Sequence, residues 1–167
     1  MRLSLCYTSF LDANDWLSIG VDFFTGVVIA LILAYVVPKK LNDDRSLKDF
    51  FMQEFQSIKN EYNDFCKEMC LGKHDARTIK EIFKQLSLKL DDIQNVANRN
   101  LKVDINILDE LSQTQVQVTR AQEINDQYEE PNITFNPTTK NLIWQRQDVF
   151  NKNIISAIAS INKAKSK

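Results

Sequence analysis

Two patterns of apolar spacing divide the chain. From Trp16 to Val37 (WLSIGVDFFTGVVIALILAYVV) apolar residues run almost without interruption, and Asp22 is the only charge. From residue 41 onward apolar residues recur every three or four positions, as in helices buried along one face. The first run is 22 residues long. At about 1.5 Å per residue it makes a helix of roughly 33 Å, enough to cross a hydrocarbon core of about 30 Å. Trp16 and Tyr35 stand near its two ends, where amphipathic rings favour the headgroup level. The pattern predicts a transmembrane helix over 16–37.

Lys39 and Lys40 follow that run directly, Asp12 and Asp15 precede it, and Arg2 is the only cation upstream. The Lys/Arg bias predicts a single-pass protein of the cell inner membrane, with 1–15 a short extracytoplasmic segment and 41–167 a cytoplasmic domain. A cleaved signal peptide fits less well, because the apolar run is long, starts after two acids and ends in Val-Val-Pro-Lys-Lys without a small-residue cleavage pattern.

In the cytoplasmic part, Asn42-Asp43-Asp44 offers an N-cap and first-turn acids. Phe51, Phe55, Ile58, Tyr62, Phe65 and Met69 then follow at spacings of 4, 3, 4, 3 and 4, a heptad seam. Leu71-Gly72 supplies a stop. Asp75 caps a second helix with Ile79, Phe83, Leu86, Leu90, Ile93 and Ala97 on one face, and Asn98 to Asn100 read as a break. A third helix is expected from about Asp104 to Gln127, carried by Ile105, Leu108, Leu111 and Val118. Its second half is poor in apolar residues and reads as solvated or ligand-facing. Residues 128–137 (YEEPNITFNP) read as a loop. A last helix runs from about Thr138 to Ala164 with Leu142, Val149, Phe150, Ile154, Ala157, Ile158 and Ile161 on its face. The expected fold is all-α: a single N-terminal transmembrane helix plus a cytoplasmic bundle of about four helices.

The aromatic heptad has two readings. It forms the core of the bundle within one chain, or it pairs with copies of itself as an oligomeric stalk. Ser18, Gly20, Thr25, Gly26 and Ala30 are small residues that let membrane helices approach closely, and a homo-oligomer is expected.

Composition sharpens this picture in three places. Only 3 Gly and 3 Pro occur in 167 residues, which favours long helices. The net charge of −1 does not advertise a nucleic-acid binder. Charge is nonetheless uneven: residues 101–131 carry seven acids against two bases, and residues 138–167 six bases against one acid, as antiparallel neighbours would. Cys66, Cys70 and His74 step by four, but Gly72 should end the helix before His74 and no fourth ligand is evident. Buried thiols are the expectation and no metal is assigned.

No glycine-rich phosphate loop, H-E-x-x-H, G-x-S-x-G or C-x-x-C occurs, and no enzymatic activity or cofactor is expected. Two places carry candidate chemistry. Asp22 lies within the span, where an ionised carboxylate faces protein or water. In an oligomer, Ser18, Asp22 and Thr25 would line a cation-attracting vestibule, the alternative being Asp22 at the outer interface. The second place is Asn136-Pro137-Thr138-Thr139-Lys140-Asn141, followed by Trp144 and Arg146. Asn136 suits an N-cap and Pro137 a first helical position. A helix N-terminus suits phosphate, with Thr138, Thr139 and Lys140 adding hydroxyls and a cation, Trp144 a stacking surface and Arg146 a phosphate partner. A structural cap with an ordinary tryptophan is the plainer alternative.

The layout of the whole chain, with span 16–37, basic Lys39-Lys40 and helical 41–167, resembles the small membrane effectors of prokaryotic anti-phage systems. In particular it resembles the type III CRISPR accessory membrane proteins with an N-terminal span and a helical cytosolic domain. The resemblance implies an oligomer whose cytosolic domain binds cyclic tetra-adenylate and, on binding, disrupts the membrane. In that frame Lys140 and Arg146 would supply cations around a symmetric oligomer, and Asn141, Gln145, Gln147 and Asn151 would read adenine edges. Two other classes fit the sequence: a membrane-anchored adaptor whose bundle docks a protein partner, and an assembly subunit of a larger membrane complex.

Overall fold

The structure, a computed structural model, describes residues 44–164. The expected span 16–37, the segment 1–15 and the residues Ser18, Asp22 and Thr25 lie outside the described residues. Among the described residues no helix is long and apolar enough to cross a membrane.

The described chain is all-helical: α1 (Asp44–Cys70), α2 (Ala76–Leu101), α3 (Leu108–Thr119), the short α4 (Gln122–Asp126) and α5 (Pro137–Lys163). Side-chain pairs fix their directions. The Phe65 and Phe83 rings meet edge to face at 5.0 Å, and Lys89 reaches Glu61 at 2.6 Å, so α2 returns antiparallel along α1. Tyr62 lies 4.3 Å from the Phe150 ring, Gln147 donates to Asn63 and Lys48 donates to the Ala164 carbonyl, so α5 runs antiparallel to α1 as well. α3 sits between α2 and α5, antiparallel to both. The result is an up-down-up-down four-helix bundle with α4 as an extra turn after its third helix.

The two aromatic and aliphatic seams build the core as their spacing predicts. Phe51, Phe55, Ile58 and Tyr62 are fully buried, Phe65 and Met69 nearly so, and Ile79, Phe83, Leu86, Leu90, Ile93 and Ala97 are buried opposite them. The α1 seam is therefore spent inside one chain and cannot double as a stalk between copies. α1 stops where Gly72 takes a left-handed φ of +67°, with the Ile133 carbonyl 3.2 Å from where a Cβ would stand. Asp75 then caps α2, accepting from the Thr78 N–H at 2.7 Å.

Three boundaries differ from expectation. Asn98–Asn100 is not a break, and α2 continues to Leu101 and ends with Lys102 in the left-handed region at φ 53°. The asparagines find partners while remaining helical: Asn98 exchanges hydrogen bonds with both the N–H and the C=O of Ile105 in the following connection, and Asn100 donates to the Val96 carbonyl. The third helix does not run from 104 to 127. Ile105 and Ile107 are buried in the connection before it, and it breaks at Arg120–Ala121. A straight continuation would turn Ile124 about 240° from Val118, away from the core. The break returns Ile124 to full burial. In α5 the buried set is Thr139, Ile143, Phe150, Ile154, Ala157 and Ile161, while Leu142 and Ile158 are half-buried and Val149 is exposed. The expected face was thus rotated slightly and lacked Ile143. The loop 128–136 is a loop as expected, but it buries Ile133 and Phe135.

Candidate functional site

The N-terminus of α5 forms as its sequence predicts. Asn136 caps it, accepting from the Thr139 N–H at 2.8 Å, and Pro137 opens the first turn. Its free N–H groups and partial positive charge attract an anion, and the chain supplies one itself. The Glu123 carboxylate, carried on α4, accepts from the Asn136 N–H at 3.0 Å and from the Thr139 hydroxyl at 2.9 Å. Burial alone would push the Glu123 pKa up. The donors converging from Asn136, its own backbone and Thr139 outweigh that, and it rests below the ordinary value. The break after α3 places α4 so that Glu123 reaches this terminus, and Gln127 stitches the intervening loop to both backbone polar groups of Thr134.

The other candidate residues scatter from this point. Thr138 and Asn141 are exposed, Thr139 is buried under Glu123, and Lys140 is half-buried on the side of Cys70, whose burial-raised pKa it partly offsets. Trp144 is 44% exposed. Arg146 is only two residues on, which is about 200° around a helix, so it points to the other flank. There its Nη1 pairs with Glu110 at 3.1 Å and its Nε donates to Gln117 at 2.9 Å, both on α3. Asn136, Thr139 and, more distantly, Lys140 are brought together; Trp144 and Arg146 are not brought to one place. Of the residues expected to read adenine edges, Gln147 donates to Asn63, and the Asn151 carbonyl oxygen is buried without a partner.

The acidic and basic segments are antiparallel neighbours, as their charge suggests, and among the described residues Arg146–Glu110 is the ion pair joining them. Sequence reasoning missed Glu123, Glu110 and Gln117 as partners of the α5 residues. Arg146 carried a signal: it falls three residues after Ile143 and four before Phe150, on the core register of α5. Glu123 carried none, because only the fold brings it to a helix that begins 14 residues later.

Near the bundle centre, the Tyr62 hydroxyl is buried beside Cys66 and Thr114 without a hydrogen bond of ordinary geometry. Burial pushes the Cys66 thiol up to about 12, so at neutral pH it is a protonated packing group. His74 does not join the cysteines; its Nε2 lies 3.0 Å from Glu68. Among the described residues no group of His, Cys, Asp and Glu is placed to hold a metal ion.

The outer surface carries more unspent chemistry than the α5 terminus. Trp144 and Ile155, the latter 55% exposed, stand eleven residues apart on α5. That is three turns, about 16 Å along one stripe. A shallow groove of about 560 Å³ runs between α2 and α3, with the exposed Leu88 in its lining.

Fold and surface together define a small all-α module, an antiparallel four-helix bundle with a polar, unenclosed exterior. No family model matches the chain, and neither a curated protein nor a solved structure shows significant similarity to it.

Proposed function

We propose that the chain is a membrane-anchored adaptor: residues 16–37 fix it in the bilayer and the helical domain recognises a protein partner through the outer face of α5. One observation carries this reading. Three of the groups that a phosphate-bearing ligand would need are engaged internally, the Asn136 N–H and the Thr139 hydroxyl by Glu123 and Arg146 by Glu110 and Gln117, whereas Trp144 and Ile155 are offered to solvent. Tryptophan is among the residue types enriched at the anchoring positions of protein interfaces.

A photo-crosslinking side chain at position 144 or 155 of the full-length protein in native membranes tests it. The expected result is a discrete adduct with another protein at both positions, lost on Trp144→Asp in the position-155 variant. Homogeneous recovery of uncrosslinked protein at both positions overturns the adaptor reading. Full-length protein in the soluble fraction of a detergent-free lysate overturns the anchoring.

The nucleotide-sensing effector is the second reading, favoured by the exposed Thr138 and Asn141 beside the half-buried Lys140. On this reading cyclic tetra-adenylate displaces Glu123 from the α5 terminus, so Glu123→Gln tightens binding and Lys140→Ala weakens it. Calorimetric titration of the purified full-length protein distinguishes the two, the adaptor reading expecting no heat of binding with either variant.

A further inference from the structure

The face formed by α2 and α3 carries a charge pattern that the proposed function does not use. Lys80 and Lys84 line one end of the groove and Asp91 the other, with Leu88 between them, and Leu108 and Gln115 form the α3 bank. Neighbouring charges repeat the polarity: Arg77 and, just after α3, Arg120 lie at the basic end, Asp92 and Asp109 at the acidic end, and all four are exposed. Glu81, an exposed acid on α2 at the basic end, stands seven residues before Leu88 on nearly the same stripe of the helix and three before Lys84. Glu129 and Glu130 sit nearby in the loop after Tyr128, whose ring lies under Arg77 and Lys80. Among the described residues, none of the groove charges has an ion-pair partner within 4.0 Å.

A groove with Lys84 on one side of an exposed leucine and Asp91 on the other complements a copy of itself turned end for end. Lys84 and Asp91 are seven residues apart, about 10 Å along α2. Their midpoint falls between Ser87 and Leu88, and Leu88 is 59% exposed there. A two-fold axis through that point lays two α2 helices antiparallel. Each Lys84 then meets the partner's Asp91, and the two Leu88 side chains pack on each other.

We infer that the α2–α3 groove is an isologous self-association face, a second copy of this chain being its occupant. The face is small beside the roughly 1,200–2,000 Å² of a stable interface, so it pairs weakly in free solution. Confinement to a membrane raises the effective concentration of copies enough for a weak face to act. The inference rests on the anchored reading for that strength and not for its geometry.

The test is disulfide trapping at the axis. Full-length protein carrying Leu88→Cys with Cys6→Ser, in native membranes, is oxidised with copper phenanthroline. A homodimer band is expected, because the axis brings the two residues 88 together. Adding Lys84→Glu or Asp91→Lys should cut its yield about tenfold, since each puts like charges opposite one another twice. The double variant Lys84→Glu/Asp91→Lys restores both pairs and should restore the yield, a rescue that a folding defect would not produce. Helicity by circular dichroism should be unchanged throughout. Absence of the homodimer, crosslinking of residue 88 to a different protein, or charge reversal without effect or without rescue each overturns the inference. A soluble-fraction protein that still shows the rescue removes the anchor and leaves the pairing standing.

Discussion

α1 and α3 occupy opposite corners of the same bundle and are held there by different forces. α1 presents an unbroken seam of large side chains, with Phe51, Phe55, Ile58 and Tyr62 fully buried. α3 buries only Leu111, Thr114 and Val118 within its span. Its position is set by directed polar contacts: Gln94 accepts from the Ile107 and Leu108 N–H groups, Asn98 brackets Ile105, and Arg146 reaches Glu110 and Gln117. A helix with a wide apolar stripe is placed by area. One with a narrow stripe needs hydrogen bonds that specify its angle and depth.

The comparison is broken most severely at α1. Phe55→Ala removes a fully buried ring among close-packed neighbours and should cost about 3–5 kcal/mol, the transfer term plus the cavity. Urea unfolding of the full-length protein in detergent, followed by helicity, measures it. A cost under 1 kcal/mol would mean the seam is loosely packed.

For α3 the corresponding change is polar. Gln94→Met keeps the volume but leaves the buried Ile107 N–H without its 2.7 Å partner. The expected cost is about 1–3 kcal/mol, the desolvation penalty of an orphaned donor. If area rather than direction held α3, this substitution would be neutral, because methionine is the more apolar residue.

A smaller effect separates with pH. The Glu123 carboxyl is held below its ordinary value by the donors at the α5 terminus, against the upward push of burial. A depressed folded-state pKa contributes stability that is fully present above the unfolded-state value and is lost as pH falls through the folded one. Glu123→Gln should therefore cost no more than about 1 kcal/mol at neutral pH, since the site is partly solvated. The gap to wild type should close as the medium is acidified past the carboxylate range. Thermal midpoints of both proteins across that range give the comparison, and a gap that widens on acidification would contradict the assignment.

How legible each region was follows from the same contrast. The seams of α1 and α2, the Gly72 stop and the Asp75 and Asn136 caps are local patterns, since period, breaker and cap chemistry act within a few residues. What fixes α3 is non-local: Gln94 is 13 residues from Ile107, Arg146 36 from Glu110, and Glu123 13 from Asn136. Asn98 to Asn100 read as a helix stop because free asparagine competes for backbone groups. Here Asn98 has the next segment's backbone to bind, so the helix continues. At the candidate site the cap was readable and its occupant was not: a helix N-terminus signals that it takes an anion without saying that the anion is Glu123.

The smallest effect lies where α2 hands over to α3. Lys102 adopts φ 53°, the left-handed conformation that costs a residue with a Cβ about 1–2 kcal/mol. Lys102 is exposed, and the connection it starts must turn at once to bring Ile105 to the Asn98 side chain. The strain is thus tolerated because the polar bracket beyond it holds the turn. Replacing Lys102 with glycine removes the steric cost but adds chain entropy to the unfolded state, about 0.5–1 kcal/mol. The net expectation is a gain of about 0.5 kcal/mol, visible as a slightly higher urea midpoint with an unchanged slope. In an Asn98→Ala background the same substitution should lose that gain, because without the bracket the connection is free to leave the left-handed turn. A gain of equal size in both backgrounds would show that Lys102, and not Asn98, sets where α3 begins.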